Sequence, residues 1–328
     1  MDRNTLDKLL AALPQGKIGV LGDFCTDVYW DIAPELGEES IETGLTTIPV
    51  TAARYSLGGA GNIIANLRGI GLREILCFGV AGQDPFGLWM KQELASGKGE
   101  YDDCFRISSR QEYHTPVYCK PLKQGVEQQR IDLGNTPVSD AEAGCLLEDL
   151  EKWMPSLQVL IINEQIAQGI HSAFFRKGFA DLVRRYEKSV RMVFDGRDFL
   201  DCYPGVTLKI NASAASRLAF GEDGHAPDES GMVILNRSGR ELVITDGANG
   251  CMVFEQAKTT FIPAIPAPGP VDTVGAGDSF TAGMSYALAA GASLVEAADF
   301  GNACSAVTIR KLNQTGAPSP EELQAVLL

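Results

Sequence analysis

Short apolar runs alternate with longer segments of helical periodicity along the second half of the chain. The runs are rich in Val, Ile and Leu without strict alternation, which predicts strands that are buried on both faces. They occupy residues 159–163, 191–195, 207–211 and 241–245. Amphipathic helices are predicted between them at 140–153, 173–188, 213–220 and 228–236. This alternation predicts an α/β fold with a mostly parallel central sheet and helices on both faces.

The first half of the chain begins in the same way. Residues 17–21 and 74–80 are short β-rich runs, and the glycine-rich stretch 58–62 precedes a helical segment. Asp-Pro-Phe-Gly at 84–87 predicts another helix start, because Asp is a good cap and Pro suits the first helical position.

Two segments, at about 24–55 and 103–133, interrupt this regular pattern. They lack helical periodicity and contain β-rich stretches such as Thr-Pro-Val-Tyr-Cys-Lys at 115–120. We interpret them as strands of a small outlying sheet. The sequence therefore predicts a single domain over 1–328, with this sheet as a lid.

A glycine-rich turn precedes the apolar, alanine-rich segment predicted as a helix at 279–290. Residues 271–280 read Val-Asp-Thr-Val-Gly-Ala-Gly-Asp-Ser-Phe, so backbone N–H groups can point at an anion near the helix N-terminus. Asp278 would repel such a ligand unless it acts as a base toward an attacking hydroxyl while the amides stabilise a transferring phosphoryl group. An ordinary acidic residue in a first helical turn is the alternative interpretation.

Composition narrows the classes of partner. The 328 residues carry a net charge of −14, with 42 acidic against 28 basic residues and no basic run. Nucleic acid and anionic membrane surfaces are therefore not expected as partners. No stretch is long and apolar enough for a bilayer span, and the eight cysteines are scattered without a metal-ligand pattern. We expect a cytoplasmic protein.

Three stretches together resemble the ribokinase (PfkB) family of carbohydrate kinases. They are Gly-Asp-Phe-Cys-Thr-Asp at 22–27, Gly-Gly-Ala-Gly-Asn at 58–62 and Asp-Thr-Val-Gly-Ala-Gly-Asp-Ser-Phe at 272–280. Their order and spacing match the family, and the resemblance covers essentially the whole chain. It implies a ribokinase-like fold and a kinase that transfers the γ-phosphoryl group of ATP, with Mg²⁺, to a hydroxyl of a sugar or sugar phosphate.

The resemblance also implies roles for individual residues. Asp278 is the expected general base, and the amides of Gly275, Ala276, Gly277 and Asp278 form the expected anion hole. The residues expected to hold the sugar are Asp27, Gly58, Gly59 and Asn62. For Asp27, a loop carboxylate without a role in binding is the competing interpretation.

The nucleotide side is implied in the same way. The Thr-Asp-Gly-Ala-Asn-Gly loop at 245–250 resembles the family's phosphate-lining loop, and an ordinary hairpin turn is compatible with that role. The residues expected near the nucleotide are Asn211, Thr245, Gly247, Gly250 and Asn302. A structural asparagine is equally consistent for Asn302. Asp272 and Thr273 lie where related kinases bind K⁺ through backbone carbonyls.

Residues 22–30 and 48–62 and the stretch Gln-Gln-Arg-Ile-Asp at 128–132 resemble one branch of the family in particular, the kinase domain of bacterial heptose-phosphate kinase/ADP-heptose synthase. In that branch the substrate is a phosphorylated sugar, so Arg130, Lys120 or Arg54 is a candidate to meet a substrate phosphate. For any one of them, a surface cation of the small sheet is the simpler interpretation. No second catalytic domain is recognisable, so we do not expect a complete bifunctional synthase.

Two departures from the family pattern lie on the nucleotide side. The family's N-x-x-E motif organises magnesium, and here it reads Asn-Ala-Ser-Ala at 211–214, so Ala214 replaces the glutamate. Alanine offers no metal ligand. Residues 163–169 likewise replace the aspartate- and lysine-containing loop of the heptose kinase branch, with Glu164 as a local substitute.

Two alternatives stand beside a sugar kinase. One is a nucleoside kinase of the same family, and the other, which Ala214 favours, is a catalytically weak homologue that binds a sugar or nucleotide. The family also implies a homodimer formed through the lid.

Overall fold

The described residues of the computed structural model, which are 1–12, 17–96, 105–134, 136–256, 258–312 and 316–326, form two β-sheets and a set of helices. The strands are β1 (Lys17–Gly22), β2 (Phe24–Ile32), β3 (Val50–Gly59), β4 (Ile75–Ala81), β5 (Phe105–Ile107), β6 (Val117–Lys123), β7 (Val126–Glu127), β8 (Ile131–Leu133), β9 (Leu157–Asn163), β10 (Arg191–Asp195), β11 (Thr207–Asn211), β12 (Leu242–Thr245), β13 (Cys251–Glu255) and β14 (Lys258–Ile262). The helices are α1 (Arg3–Ala11), α2 (Ala60–Ile70), α3 (Pro85–Ser96), α4 (Asp140–Trp153), α5 (Ala173–Tyr186), α6 (Ala212–Phe220), α7 (Pro227–Ser238), α8 (Ala276–Ala289), α9 (Leu294–Thr308) and α10 (Pro320–Val326).

The larger sheet is mostly parallel, as the alternation of strands and helices predicts. Its order is β14-β13-β12-β11-β10-β9-β1-β4-β5. Within the described strands of this sheet, the pairs from β5 through β12 are parallel, and only β12 with β13 and β13 with β14 are antiparallel. The carboxyl ends of the parallel strands therefore meet along one edge of the sheet, where ligands bind in such folds.

Apolar residues of both faces of this sheet pack against helices. Along β9, Val159 and Ile161 belong to one core, which α2, α8 and α9 complete. Leu160 and Ile162 point to the other face and pack with α4 and α5. Burial on both faces explains why these strands are continuously apolar rather than alternating. The prediction of helices on both faces is confirmed.

The smaller sheet has the order β3-β2-β6-β7, and β8 pairs with β6. Its strands come mostly from the two segments in which a small sheet was predicted. The prediction is wrong at one point, because β5 joins the larger sheet, where it pairs in parallel with β4. Residues 103 and 104 of that predicted segment lie outside the described residues. The other segment is longer than predicted, since β3 continues to Gly59.

Two helix starts differ from the prediction because glycines redirect the backbone. Gly58 and Gly59 are the last residues of β3, and α2 begins at Ala60. Helix α8 begins at Ala276 rather than 279, since Gly275 has the left-handed φ of +77° that the preceding turn requires. Asp278 therefore lies in the first turn of α8.

Among the helices of the described residues, none combines the length and the apolarity that crossing a membrane requires.

Candidate active site

A cleft of about 950 Å³ lies at the carboxyl ends of the central strands. It is lined by the last residues of β10, β11 and β12, by the start of α8 and by residues of the small sheet. Its volume is in the range of small-molecule sites. The structure brings these predicted residues together in its wall: Asp27, Gly59, Asn62, Arg130, Asn211, Thr245, Gly247, Gly250, Thr273, Gly275, Ala276, Gly277, Asp278 and Asn302.

Two predicted residues stand just behind this wall. A Cβ at Gly58 would lie 2.6 Å from the Cys25 sulfur and 3.1 Å from a carboxylate oxygen of Asp27, so a larger residue would displace Cys25 and crowd Asp27. The Asp272 side chain accepts a hydrogen bond from the Val274 amide at 3.0 Å and shapes the turn before α8.

The Asp278 carboxylate is held between two side-chain amides. The Asn62 amide donates to one carboxylate oxygen at 2.7 Å, and the Gln165 amide donates to the other at 3.0 Å. Burial raises the pKa of Asp278 to about 6, and the negative charge of Asp195 adds to this rise. The two hydrogen bonds and the nearby Lys209 lower the pKa but do not offset burial. A carboxylate with such a pKa is ionised near neutral pH and is still a useful proton acceptor.

The turn before Asp278 has the geometry expected of an anion site, with one amide already in use. The Ala276 amide donates to the Thr273 carbonyl at 3.2 Å. The amides of Gly277 and Asp278 lie in the first helical turn, where N–H groups have no acceptor within the helix. Both residues line the cleft at the positive end of the helix dipole, where the anion hole is predicted.

Asn62 is fixed in orientation within α2. Its side-chain oxygen accepts a hydrogen bond from the Asn66 amide at 3.2 Å, which leaves its own NH₂ directed at Asp278. The sequence predicts that Asn62 bonds sugar hydroxyls, whereas in this structure its amide contacts the expected base.

Charged side chains from the small sheet close the other end of the cleft. The Lys120 ammonium lies 3.1 Å from a carboxylate oxygen of Asp27 and 3.3 Å from the Tyr29 hydroxyl. The Arg130 guanidinium forms a bidentate pair with Asp132 at 2.6 and 2.7 Å and lies over the Tyr118 ring. Arg54 pairs with Asp31 and is not among the residues that line the cleft.

Arg197 is a cationic side chain in the cleft wall, and none of the sequence motifs described above includes it. It follows β10 and is exposed. The turn that carries it is anchored by buried Glu164, whose carboxylate accepts the amides of Arg197 and Asp198 at 2.7 and 2.8 Å. Glu164 thus anchors a turn beside the cleft.

The expected nucleotide side is built from short turns at strand ends. The Asn211 side chain caps α6 by accepting the Ala214 amide at 2.8 Å. Gly247 and Gly250 have φ of +52° and +105°, and a Cβ at Gly250 would lie 2.1 Å from the Ile262 carbonyl oxygen. The Asn302 amide donates to the Pro263 carbonyl at 2.8 Å, so Asn302 has a structural bond as well as a place in the cleft wall.

Lys209 and Asp195 form a buried ion pair beside the turn of α8. The Lys209 ammonium lies 3.0 Å from an Asp195 carboxylate oxygen and 3.3 Å from the Gly277 carbonyl. The Thr281 hydroxyl donates to the same Asp195 oxygen at 2.5 Å. The sequence signal for both residues was their place at or near the carboxyl end of a predicted strand.

Buried Asp23 places Gln165 next to Asp278. Its carboxylate accepts backbone amides from Gln165, Ile166 and Ile170 at 2.9 to 3.0 Å. A Cβ at Gly169 would lie only 1.9 Å from this carboxylate, so glycine is required there. The loop after β9 is therefore folded around Asp23, at the junction between the two sheets.

The family's N-x-x-E metal motif is incomplete in this site. Ala214 is buried and has no ligand atom in its side chain, and one carboxylate oxygen of Asp195 is engaged by both Lys209 and Thr281. Across the described ranges, no group of three or more His, Cys, Asp or Glu side chains could hold a metal ion.

Comparison with known proteins matches residues 195–322 to the pfkB family of carbohydrate kinases. The bifunctional protein HldE of Helicobacter hepaticus is 26% identical over 316 residues, which cover 94% of this chain and 64% of that protein. HldE of Caulobacter vibrioides is 26% identical over 317 residues, which cover 94% and 63%. The chain thus spans less than two thirds of the length of these relatives.

Solved structures with the same fold include two sugar kinases. Ribokinase from Arabidopsis thaliana, complexed with ribose and ATP, matches with a TM-score of 0.71 at 21% identity, covering 95% of this chain and 98% of that one. Phosphofructokinase-2 from Escherichia coli, in complex with substrates and products, matches with a TM-score of 0.73 at 19% identity and the same coverage. The predicted ribokinase-like fold is confirmed.

Proposed function

We propose that this chain phosphorylates a sugar or sugar phosphate. Its resemblance to the ribokinase/PfkB family is confirmed and supports an ATP-dependent kinase. The observation that carries the proposal is the position of Asp278. Its carboxylate lies in the first turn of α8, inside the cleft, with its pKa raised to about 6 and its orientation fixed by Asn62 and Gln165. A binding protein has no need of a base poised in this way.

In the proposed reaction, Asp278 accepts the proton of the acceptor hydroxyl as that oxygen attacks the γ-phosphorus of ATP. The bond to the β,γ-bridging oxygen breaks, so the products are the phosphorylated sugar, ADP and the proton left on Asp278. Each carboxylate oxygen has more than one lone pair, so Asp278 can accept the hydroxyl while Asn62 and Gln165 remain bonded. The amides of Gly277 and Asp278 stabilise charge on the transferring group.

The sugar end of the cleft favours an acceptor that already carries a phosphate. Arg130 and Arg197 both line it, and arginine binds phosphate through a bidentate fork. No ion pair is found for Arg197 among the described residues, whereas Arg130 is partly committed to Asp132. Asp27 and Lys120 are proposed to meet the sugar hydroxyls between these arginines and Asp278. Gly58 and Gly59 are proposed to shape this pocket, and Asn62 to join it once a sugar is bound.

The nucleotide is proposed to lie along Asn211, Thr245, Gly247, Gly250 and Asn302. Magnesium is proposed to enter with ATP, held by phosphate oxygens and water, since Mg²⁺ keeps several waters and dehydrates reluctantly. A K⁺ ion is proposed at the carbonyls of Asp272 and Thr273. The Thr273 carbonyl accepts the Ala276 amide and retains a second lone pair.

The proposal is tested by ADP release with ATP, Mg²⁺ and K⁺ against a panel of sugars, sugar phosphates and nucleosides. We expect release to be fastest with a sugar phosphate, and Arg197→Met to raise KM for that acceptor with little change for the unphosphorylated sugar. Release with nucleosides alone would instead identify a nucleoside kinase. If no acceptor is phosphorylated but ATP or a sugar still binds, the result would favour the binding homologue that Ala214 suggests.

Removing the Gln165 hydrogen bond is expected to change the pH profile of the reaction. A donor to the carboxylate stabilises its ionised form, so Gln165→Met should raise the pKa of Asp278 above about 6. The base must be ionised to act, so the acidic limb of kcat/KM should move up by about one pH unit. The measurement is kcat/KM from pH 5 to 9.

The matched control is Gln168→Met, because Gln168 is exposed in the same loop and has no bond to Asp278. An unchanged acidic limb in Gln165→Met, beside an altered KM, would mean that Gln165 serves only the substrate.

The small sheet is proposed to act as a lid over the cleft, within a single domain, and to pair with that of a second copy. β3 is an edge strand, and Val50, Val126, Ile131 and Leu133 expose apolar side chains on this sheet. We expect a dimer in sedimentation velocity, and monomers for Val50→Glu/Ile131→Glu. A wild-type monomer at all concentrations would contradict this.

With ATP as phosphoryl donor, the proposed location is the cytoplasm.

A further inference from the structure

Lys209 places a positive charge beside the turn where the phosphates of the proposed nucleotide meet α8. The four cations in the cleft wall, counted over the described residues, are Lys120, Arg130, Arg197 and Lys209. The first two come from the small sheet and pair with Asp27 and Asp132. Lys209 lies two residues before Asn211, on the nucleotide side, and is 4% exposed.

The ammonium group is oriented and still has bonding capacity. It has three N–H donors, of which one is directed at Asp195 and one at the Gly277 carbonyl. Gly277 belongs to the first turn of α8, so the third donor stands beside the amides that face the cleft. On the other side, the Thr281 hydroxyl donates to the Asp195 carboxylate at 2.5 Å, and its oxygen lies 3.0 Å from the Gly277 carbonyl oxygen.

The same region lacks the glutamate of the family's N-x-x-E motif. Ala214 provides no ligand, and one carboxylate oxygen of Asp195 is engaged by both Lys209 and Thr281. The negative charge of a triphosphate in this half of the cleft is therefore met by the helix N-terminus and by Lys209 rather than by a protein-held cation.

We propose that Lys209 binds the nucleotide phosphates directly, as a fixed cation that neutralises phosphate charge in place of the metal ion that the missing glutamate would organise. Asp195 is then a positioning residue that keeps the ammonium at the turn of α8. This inference rests on the proposed function for the identity of the ligand, a nucleoside triphosphate. It predicts that ATP binding depends weakly on Mg²⁺ and strongly on Lys209.

The test is calorimetric titration of the intact chain with ATP and with adenosine, each in Mg²⁺ and in EDTA. The variants are Lys209→Met, Asp195→Asn/Lys209→Met, which leaves no unpaired buried carboxylate, and the exposed control Lys258→Met. For the wild type and the control, Kd for ATP should change by less than about tenfold between Mg²⁺ and EDTA. Both Lys209 variants should bind ATP about tenfold to a hundredfold more weakly in EDTA.

Adenosine has no phosphates, so its Kd should be unchanged in every variant. The inference is overturned if the double variant binds ATP in EDTA as tightly as the wild type. It is also overturned if wild-type affinity for ATP falls more than about tenfold on removal of Mg²⁺. Because binding is measured without turnover, Lys209-dependent ATP binding in a chain that phosphorylates no sugar would refute the kinase and leave this inference standing.

Discussion

Replacing Asp278 by asparagine is expected to lower kcat by about 10²- to 10⁴-fold, the usual contribution of a general base. Asparagine has nearly the shape of aspartate, and it can keep one of the two hydrogen bonds from Asn62 and Gln165. It cannot accept a proton from the attacking hydroxyl. The loss should therefore appear in kcat, with KM for ATP changed by less than about threefold.

The measurement is steady-state kinetics of ADP release with saturating ATP and acceptor. Asp201→Asn is the matched control, since it makes the same chemical change at an exposed carboxylate that pairs with Arg237 outside the cleft. A kcat within threefold of wild type for Asp278→Asn would mean that another group, or water, removes the proton. The assignment of the base would then be wrong.

The same substitution is expected to stabilise the fold at neutral pH, by about 2 to 3 kcal/mol. Burial raises the pKa of Asp278 from 3.8 to about 6, so ionising this carboxyl costs more in the folded chain than in the unfolded one. Asparagine does not ionise, and the variant escapes this cost. Loss of activity with a gain in stability is the trade-off expected of a strained functional group.

The raised pKa of Asp278 also determines how the stability of the wild type changes with pH. Below pH 3.8 the carboxyl is protonated in both states and contributes no difference. Between 3.8 and about 6 the folded state holds a proton that the unfolded state has lost, so wild-type stability falls as pH rises. Above about 6 the deficit is constant. The gap between Asp278→Asn and the wild type should therefore be full at pH 7.5 and nearly absent at pH 4.

Urea unfolding at both pH values measures this gap, and Asp201→Asn again serves as the control. A difference that is the same at pH 7.5 and pH 4 would mean that the carboxylate is well solvated. If the asparagine variant is less stable than the wild type at pH 7.5, the hydrogen bonds from Asn62 and Gln165 stabilise the ionised Asp278 carboxylate by more than burial destabilises it.

Much of the fold follows from local pattern. The runs that became β9, β10 and β11 are apolar because both faces of the sheet are covered, and their period differs clearly from that of the helices between them. The prediction that β5 belongs to the small sheet is wrong because its three residues, Phe105–Ile107, are too few to show a hydrophobic pattern that distinguishes the two sheets. Its partner β4 is distant in sequence and alone determines which sheet it joins.

The site divides in the same way. Asp278 and its turn were predicted because the glycines and the following helix are neighbours in sequence. Gln165 lies 113 residues from Asp278 and reaches it only through the loop that Asp23 folds. No local rule connects those three residues. Lys209 was missed for a related reason, because a lysine inside an apolar strand has meaning only once Asp195 and Gly277 are beside it.

Direct observation of phosphoryl transfer is the measurement that tests the central claim. The chain is incubated with ATP and the best acceptor of the sugar-phosphate panel, and ³¹P NMR follows the products with wild type and Asp278→Asn. The account predicts that the γ-phosphate resonance of ATP is replaced by that of a new phosphate ester, together with ADP, and that the variant forms neither at a comparable rate. If inorganic phosphate is the product, or if Asp278→Asn forms the ester as fast as wild type, the chain is not a kinase that uses Asp278 as its base.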